Sequence, residues 1–257
     1  SLGSANLLLF AACSLIPTGM FAAWAYHAGG EPQPAAEEVH GRKGHLGLGI
    51  LIHNGTLWRL AVLIALTQVV STVTDLQMNT CVANDLVDAD ERTRWYGGFY
   101  AKLNLGSAIF QFIATPLLLS WIPLRVIHVS IPVVHACLCA LVLMRPSLAT
   151  AAGAYMAFKV FDYSIFRAAK ELLYIPLSYD ARYRAKELID AVGYRVAKGG
   201  TSLCLAAAGS VVKHALPLAT YPITALAALA GWLALIPSLT RKNPSGHPAG
   251  DGNAGAV

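Results

Sequence analysis

The stretch FKVFDYSIFRAAKELLYIPLSYDARYRAKELIDAVGYRVAKGG, Phe158 to Gly200, decides the fold. Apolar runs of membrane-spanning length flank it on both sides. It nevertheless carries Lys159, Asp162, Arg167, Lys170, Glu171, Lys186, Glu187, Asp190, Arg195 and Lys198. A charge at the centre of a bilayer is costly unless it faces a polar cavity or an opposite partner. The stretch is therefore the polar interior of a membrane protein or a set of buried ion pairs, and every further observation bears on that choice.

Working outward, apolar runs recur along most of the chain. The 257 residues are 56% hydrophobic and 13% charged, with mean hydropathy +0.53. Soluble domains carry about 25% charged residues. The composition gives an all-α, polytopic membrane helix bundle. The net charge of +5 is a topology signal of basic span ends, and no nucleic-acid partner is expected. Cys13, Cys81, Cys137, Cys139 and Cys204 contain no CxxC pair and lie in or beside apolar segments, as small hydrophobes do. Asn54-Gly55-Thr56 has glycosylation spacing, a short motif that arises more often by chance. No nucleophile–base pattern, cofactor motif or metal-ligand spacing is present in the sequence, so no enzyme, cofactor or metal is expected. His128 and His135 stand alone, and "AKGG" at Ala197 to Gly200 lacks the surrounding phosphate-loop pattern.

Seven transmembrane helices account for the apolar sequence: Leu2 to His27, Leu57 to Val82, Trp95 to Trp121, Leu124 to Met144, Leu148 to Tyr174, Arg182 to Val212 and Leu216 to Leu239. Short turns make successive spans antiparallel neighbours. Gly97-Gly98 and Gly106 suit close packing of the third span, and Pro116 and Pro132 fall inside spans as kink sites. A polar linker separates the first two spans, with a short interfacial helix near Leu46 to Ile52. Arg42, Lys43, Arg59, Arg125, Arg182, Arg184, Lys186, Arg241 and Lys242 gather on one side, against Arg92, Arg94, Arg145 and Lys213 on the other. The richer side is cytoplasmic.

The chain opens in apolar sequence without a basic n-region, which reads as a span entered partway. The expected organisation is thus the last span of an N-terminal bundle (1–28), a cytoplasmic linker (29–56), a C-terminal six-span bundle (57–239) and a disordered cytoplasmic tail (240–257). One span, a linker and six spans fit the later part of a twelve-span transporter of the major facilitator type.

At about 1.5 Å per residue, Lys159, Asp162, Arg195 and Lys198 fall near the bilayer midplane. Three cations against one carboxylate make this the expected substrate site for an anion. Asp75 and Lys102 match in depth on the outer side and form a candidate outer gate. Lys170, Glu171, Lys186 and Asp190 lie at the inner junction of the fifth and sixth spans and form a candidate inner gate. Lys186 and Asp190, four residues apart, could also satisfy each other alone. Lys159, Asp162, Phe166 and Lys170 follow spacings of three and four and are expected on one helix face.

The segments KELLYIPL and RYRAKELIDAVGYRVAKGG carry a resemblance. A motif of the form K-E-x-x-Y-I-P-L leading into K-x-x-x-D-V-V-G-x-R-x-x-K-x-G-G is similar to that of the ATP/ADP translocase (nucleotide transporter) family of bacteria, intracellular parasites and plastids. The matching positions are Lys170, Glu171, Tyr174, Ile175, Pro176, Leu177, Lys186, Asp190, Val192, Gly193, Arg195, Lys198 and Gly200. STVTDLQMN (Ser71 to Asn79) and GGFYAKLNLGSAIFQF (Gly97 to Phe112) also resemble segments of relatives, and the similarity extends from Leu57 to Leu239. The resemblance implies a major-facilitator-like fold and exchange of nucleotides such as ATP and ADP, with a small anionic substrate and the bilayer of a bacterial inner membrane as partners. Two other readings stay open: a membrane scaffold whose charges are structural pairs, and a proton-coupled exporter using Asp162 or Asp75 as its proton carrier.

Overall fold

The computed structural model describes residues 4–30, 48–175, 177, 186–212 and 216–240. Arg42, Lys43, Arg182, Arg184, Lys213, Arg241 and Lys242, most of the linker and nearly all of the tail lie outside the described residues.

Among the described residues eight helices form, and each segment expected as a span is helical over its described part, except that the last begins at Thr220 rather than Leu216. One unit contains α1 (Ser4–Gly29). Its large side chains Leu15, Ile16, Met20, Phe21 and Trp24 are all exposed. The second unit contains the rest. The short α2 (Leu48–His53) overlaps the linker's apolar patch. α3 (Gly55–Asp85) and α4 (Ala89–Trp121, α-helical except for a π-helical turn at Phe110–Ala114) come next. They lead into α5 (Leu124–Met144) and α6, built from Leu148–Phe161, a π turn Asp162–Phe166 and Arg167–Tyr174. α7 joins Lys186–Leu188, a π turn Ile189–Gly193 and Tyr194–Val212, and α8 is Thr220–Thr240. Among the described residues α3, α4, α5 and α8 are long and apolar enough to cross a membrane. The chain is an all-α membrane helix bundle.

Local chemistry explains the boundaries. Asn54 caps α3, its Oδ1 accepting from the backbone N–H of Thr56 at 3.0 Å and Leu57 at 3.2 Å. The residue in the glycosylation-like triplet is thus a helix cap. α4 starts two turns before the expected Trp95 because Asp88 accepts from the Glu91 N–H at 2.8 Å, with Asp90 and Glu91 against the positive helix end. Ser147 and Thr150 form a reciprocal capping box at the start of α6. Pro116 stands just past the π turn of α4, and Pro132 sits within the continuous α5.

α3 is the central helix. It packs chiefly on α8, α7 and α6 rather than on its chain neighbour α4, so the expected sequential packing gives way to a closed arrangement around α3. Leu57, Leu60, Leu63 and Val70 of α3 meet Ile127 and Ile131 of α5, Phe166 and Tyr174 of α6 and Leu229 and Trp232 of α8. A smaller cluster of Met78, Phe99, Leu103 and Tyr155 joins α3, α4 and α6 toward the other end. The hydroxyls of Thr67, Thr72, Thr74 and Thr80 donate back to carbonyls three or four residues earlier, so these threonines sit in an apolar helix without unsatisfied hydroxyl protons. Apolar side chains face outward instead: Leu105, Phe112 and Leu117 on α4, Val126 and Val133 on α5, Val196 and Leu203 on α7. This inverted pattern belongs in lipid. Cys81 and Cys139 are buried, whereas Cys13, Cys137 and Cys204 are exposed.

The glycines divide by function. A Cβ on Gly106 would touch Val160 at 3.5 Å, a close contact of α4 with α6, whereas Gly97 and Gly98 meet no described atom within 4 Å. The tightest approach is at Gly231 in α8, whose Cβ would lie 3.3 Å from Leu66 Cδ1 of α3. Gly231→Val should therefore overpack the α3–α8 seam by about 1–3 kcal/mol and lower the thermal midpoint in detergent. Gly97→Ala should leave it unchanged, and equal midpoints for both would refute the seam.

Candidate functional site

A cavity of about 550 Å³ opens between α3, α6 and α7. α3 contributes Ile64, Thr67 and Gln68. α6 contributes Asp162, Tyr163, Phe166, Arg167, Lys170 and Glu171, and α7 contributes Lys186, Asp190, Ala191, Tyr194 and Arg195. Both charged helices are interrupted beside it: Asp162 opens one π turn and Asp190 lies inside the other. A π turn inserts a residue into the helical register and rotates the residues beyond it. That rotation explains why Asp162, Phe166 and Lys170 line the cavity while Lys159 does not, although spacing alone assigns all four to one face.

The four midplane residues are thus separated. Asp162 and Arg195 line the cavity. Lys159 is buried behind it, its Nζ 3.9 Å from Asp162 Oδ2, with side-chain exposures of 6% and 15% that keep the pair nearly dry. The ammonium also lies 5.2 Å from the centre of the Tyr163 ring and 5.8 Å from that of Tyr155, within cation–π range. Lys198 is exposed on α7 and is absent from the cavity lining.

The four residues at the α6–α7 junction come together, and they pair across the helices. Lys170 Nζ donates to Asp190 Oδ1 at 2.9 Å and Lys186 Nζ to Glu171 Oε2 at 2.6 Å. The local Lys186–Asp190 pairing does not form. Two crossed bridges tie the end of α6 to the beginning of α7, and Lys186 also lies 5.6 Å from the Tyr174 ring centre.

Asp75 and Lys102 form no ion pair among the described residues. Asp75 accepts from Asn79 Nδ2 at 3.2 Å, and Asn79 Oδ1 accepts from the Tyr96 hydroxyl at 2.7 Å, linking α3 to α4. Lys102 is exposed and lines a separate groove. His128 and His135 are core residues: His128 Nε2 lies 3.3 Å from the Ala169 carbonyl, and His135 packs against Phe158 and Phe161.

Sequence reasoning passes over Thr67, Gln68, Tyr163, Arg167 and Tyr194. The available signal is the run of polar residues from Thr67 to Gln77 inside an apolar span, all of them facing inward except Asp75 at the edge. The Thr67 hydroxyl donates its proton to the Ile64 carbonyl at 2.7 Å, so toward Gln68 it only accepts. The Gln68 Nε2 accordingly faces it at 3.5 Å, and Gln68 Oε1 is left without a partner among the described residues.

Positive charge in the cavity exceeds negative. Lys170, Lys186 and the Lys159 behind the wall each have a carboxylate, and these are Asp190, Glu171 and Asp162. Arg167 and Arg195 line the same cavity and form no ion pair among the described residues. A polar cavity lined by two guanidinium groups outside any ion pair among the described residues has donors suited to an anion. Over residues 133–242, which include α6, α7 and α8, the chain matches the model of the TLC ATP/ADP transporter family. No curated protein and no solved structure matches the chain.

Proposed function

We propose that this protein moves nucleotides such as ATP and ADP, or a related organic anion, across a membrane by alternating access in a major-facilitator-like fold. The observation that carries the reading is the pair of guanidinium groups, Arg167 and Arg195, facing a 550 Å³ cavity without carboxylate partners among the described residues. A polyphosphate supplies the missing negative charge, and bidentate contacts replace the water that its oxygens shed. Asp162, steadied by Lys159, fixes the far wall, and Lys198, three residues beyond Arg195, extends the basic path along α7. The crossed bridges of Lys170, Glu171, Lys186 and Asp190 serve as the inner gate on the cytoplasmic side, made here and broken to admit substrate. An outer gate between Asp75 and Lys102 belongs to this reading and is unmade in this conformation. The organisation into a bundle, a cytoplasmic linker and a tail, in a bacterial inner membrane and without enzymatic activity, accompanies it.

The test is exchange of labelled ATP and ADP by the purified chain in liposomes. Arg195→Ala and Arg167→Ala each remove a charge-assisted contact of about 1.5–3 kcal/mol, so each should weaken nucleotide binding roughly ten- to hundredfold while insertion is unchanged. Wild-type nucleotide affinity in both variants would overturn the anion site. The scaffold reading draws on the three satisfied ion pairs and expects no bound nucleotide at all, an outcome the same assay detects.

A further inference from the structure

At the N-terminal part of α6, away from the crossed bridges at its other end, a second groove of about 620 Å³ runs between α4 and α6. Arg94, Gly98 and Lys102 stand at intervals of four along the α4 wall, and Ala149, Ala152 and Gly153 form the α6 wall. The small residues make it a trough: a Cβ on Gly98 or Gly153 would meet no described atom within 4 Å. Arg94 and Lys102 form no ion pair among the described residues and are both exposed.

Depth and direction add to this. Asp88 caps α4 and Ser147 caps α6, and both helices begin at the same end of the bundle. Asp90 and Glu91 already occupy the positive end of α4, and Lys102 lies well beyond its first turn, so the positive charge of the groove comes from the Arg94 and Lys102 side chains themselves. Side chains on a helix lean toward its N-terminus, which carries the long Lys102 stem toward Arg94 and the membrane boundary, its methylenes along the apolar wall. Trp95, stacked on Phe99 at 5.0 Å and 9°, lines the same end, the level at which Trp collects in membrane proteins.

We propose that this groove binds one anionic phospholipid, its phosphate held by Arg94 and Lys102 and an acyl chain lying in the trough of Ala149, Ala152 and Gly153. A free phosphate finds only the two cations here, because the rest of the lining is mostly carbon. A zwitterionic lipid brings its own ammonium next to two other cations. An anionic head on an apolar body matches both halves of the lining. The site needs only the membrane fold; it shares Lys102 with the proposed outer gate, whereas Arg94 and Gly153 belong to the groove alone.

Native mass spectrometry of the full chain, extracted from bilayers of equimolar phosphatidylglycerol and phosphatidylcholine, tests it. The wild type should retain one phosphatidylglycerol in clear preference to phosphatidylcholine. Arg94→Gln and Lys102→Gln should each lower that retention about fivefold. Gly153→Leu keeps both cations but fills the trough, and it should release the lipid as well. Equal retention of the two lipids by the wild type, a measurement that needs no variant, overturns the proposal. Undiminished phosphatidylglycerol on Gly153→Leu also overturns it, as does displacement of the lipid by excess inorganic phosphate, which would mark a site for the bare anion.

Discussion

Lys170→Glu should reduce nucleotide exchange roughly 30- to 150-fold, and adding Asp190→Lys should return most of it. Lys170 Nζ sits 2.9 Å from Asp190 Oδ1, and Glu171 is the next residue along α6. The substitution places a third carboxylate among two. At an effective dielectric constant of about 20, like charges 4 Å apart repel by roughly 4 kcal/mol. Asp190 is partly exposed, so solvent screening reduces this to about 2–3 kcal/mol. That is enough to hold the α6–α7 junction apart and to depopulate the closed state by roughly 30- to 150-fold. The double variant restores opposite charges across the same gap while preserving the cavity's net charge. Exchange in proteoliposomes, normalised to inserted protein, reads the effect. A single variant that exchanges normally, or a double variant no better than the single, would contradict the gate. A bifunctional thiol crosslink between Lys170→Cys and Asp190→Cys, in a background without the five native cysteines, distinguishes gating from mere adhesion. Exchange should stop when the link forms and resume when it is cleaved.

That these bridges cross between helices is beyond the reach of sequence reasoning. Composition and apolar run length suffice to place the helices, because a bilayer leaves a chain few alternatives. Depth along each helix is equally legible, since the rise per residue is fixed, and it collects Lys170, Glu171, Lys186 and Asp190 at one level. Azimuth is not legible. Lys186 and Asp190 stand four apart and have a local solution, but the π turn at Ile189–Gly193 turns Asp190 toward Lys170 instead. The turn at Asp162–Phe166 separates Lys159 from Lys170 in the same way. No residue type announces a π turn, so a uniform period of 3.6 misplaces the faces beyond both. Arg167 is visible as a charge in the deciding stretch but has no partner or depth class to mark it. Thr67 and Gln68 are hidden because single polar residues in a span usually satisfy themselves, as the neighbouring threonines do.

Lys159→Met should destabilise the protein by about 3 kcal/mol, and Asp162→Asn added to it should recover at least half. The cause is the nearly dry Lys159–Asp162 pair at 3.9 Å on one helix. Removing one member of a buried pair strands the other charge, at a cost of about 3–5 kcal/mol, whereas replacing both with neutral groups of similar volume is often close to neutral. The lower end applies because Arg167 and Lys170 also act on Asp162, and Asp162 borders the cavity. Thermal unfolding in detergent gives the stabilities, and nucleotide binding by the double variant gives the role. A pair that only steadies the cavity wall leaves the stable double variant binding nucleotide within about tenfold of wild type, since Arg167 and Arg195 keep their charges. If Lys159→Met is no less stable than wild type, the pair is more hydrated than its burial implies. If the stable double variant loses nucleotide altogether, the charges of Lys159 and Asp162 belong to the substrate site itself, with the π turn moving Lys159 into the cavity during transport.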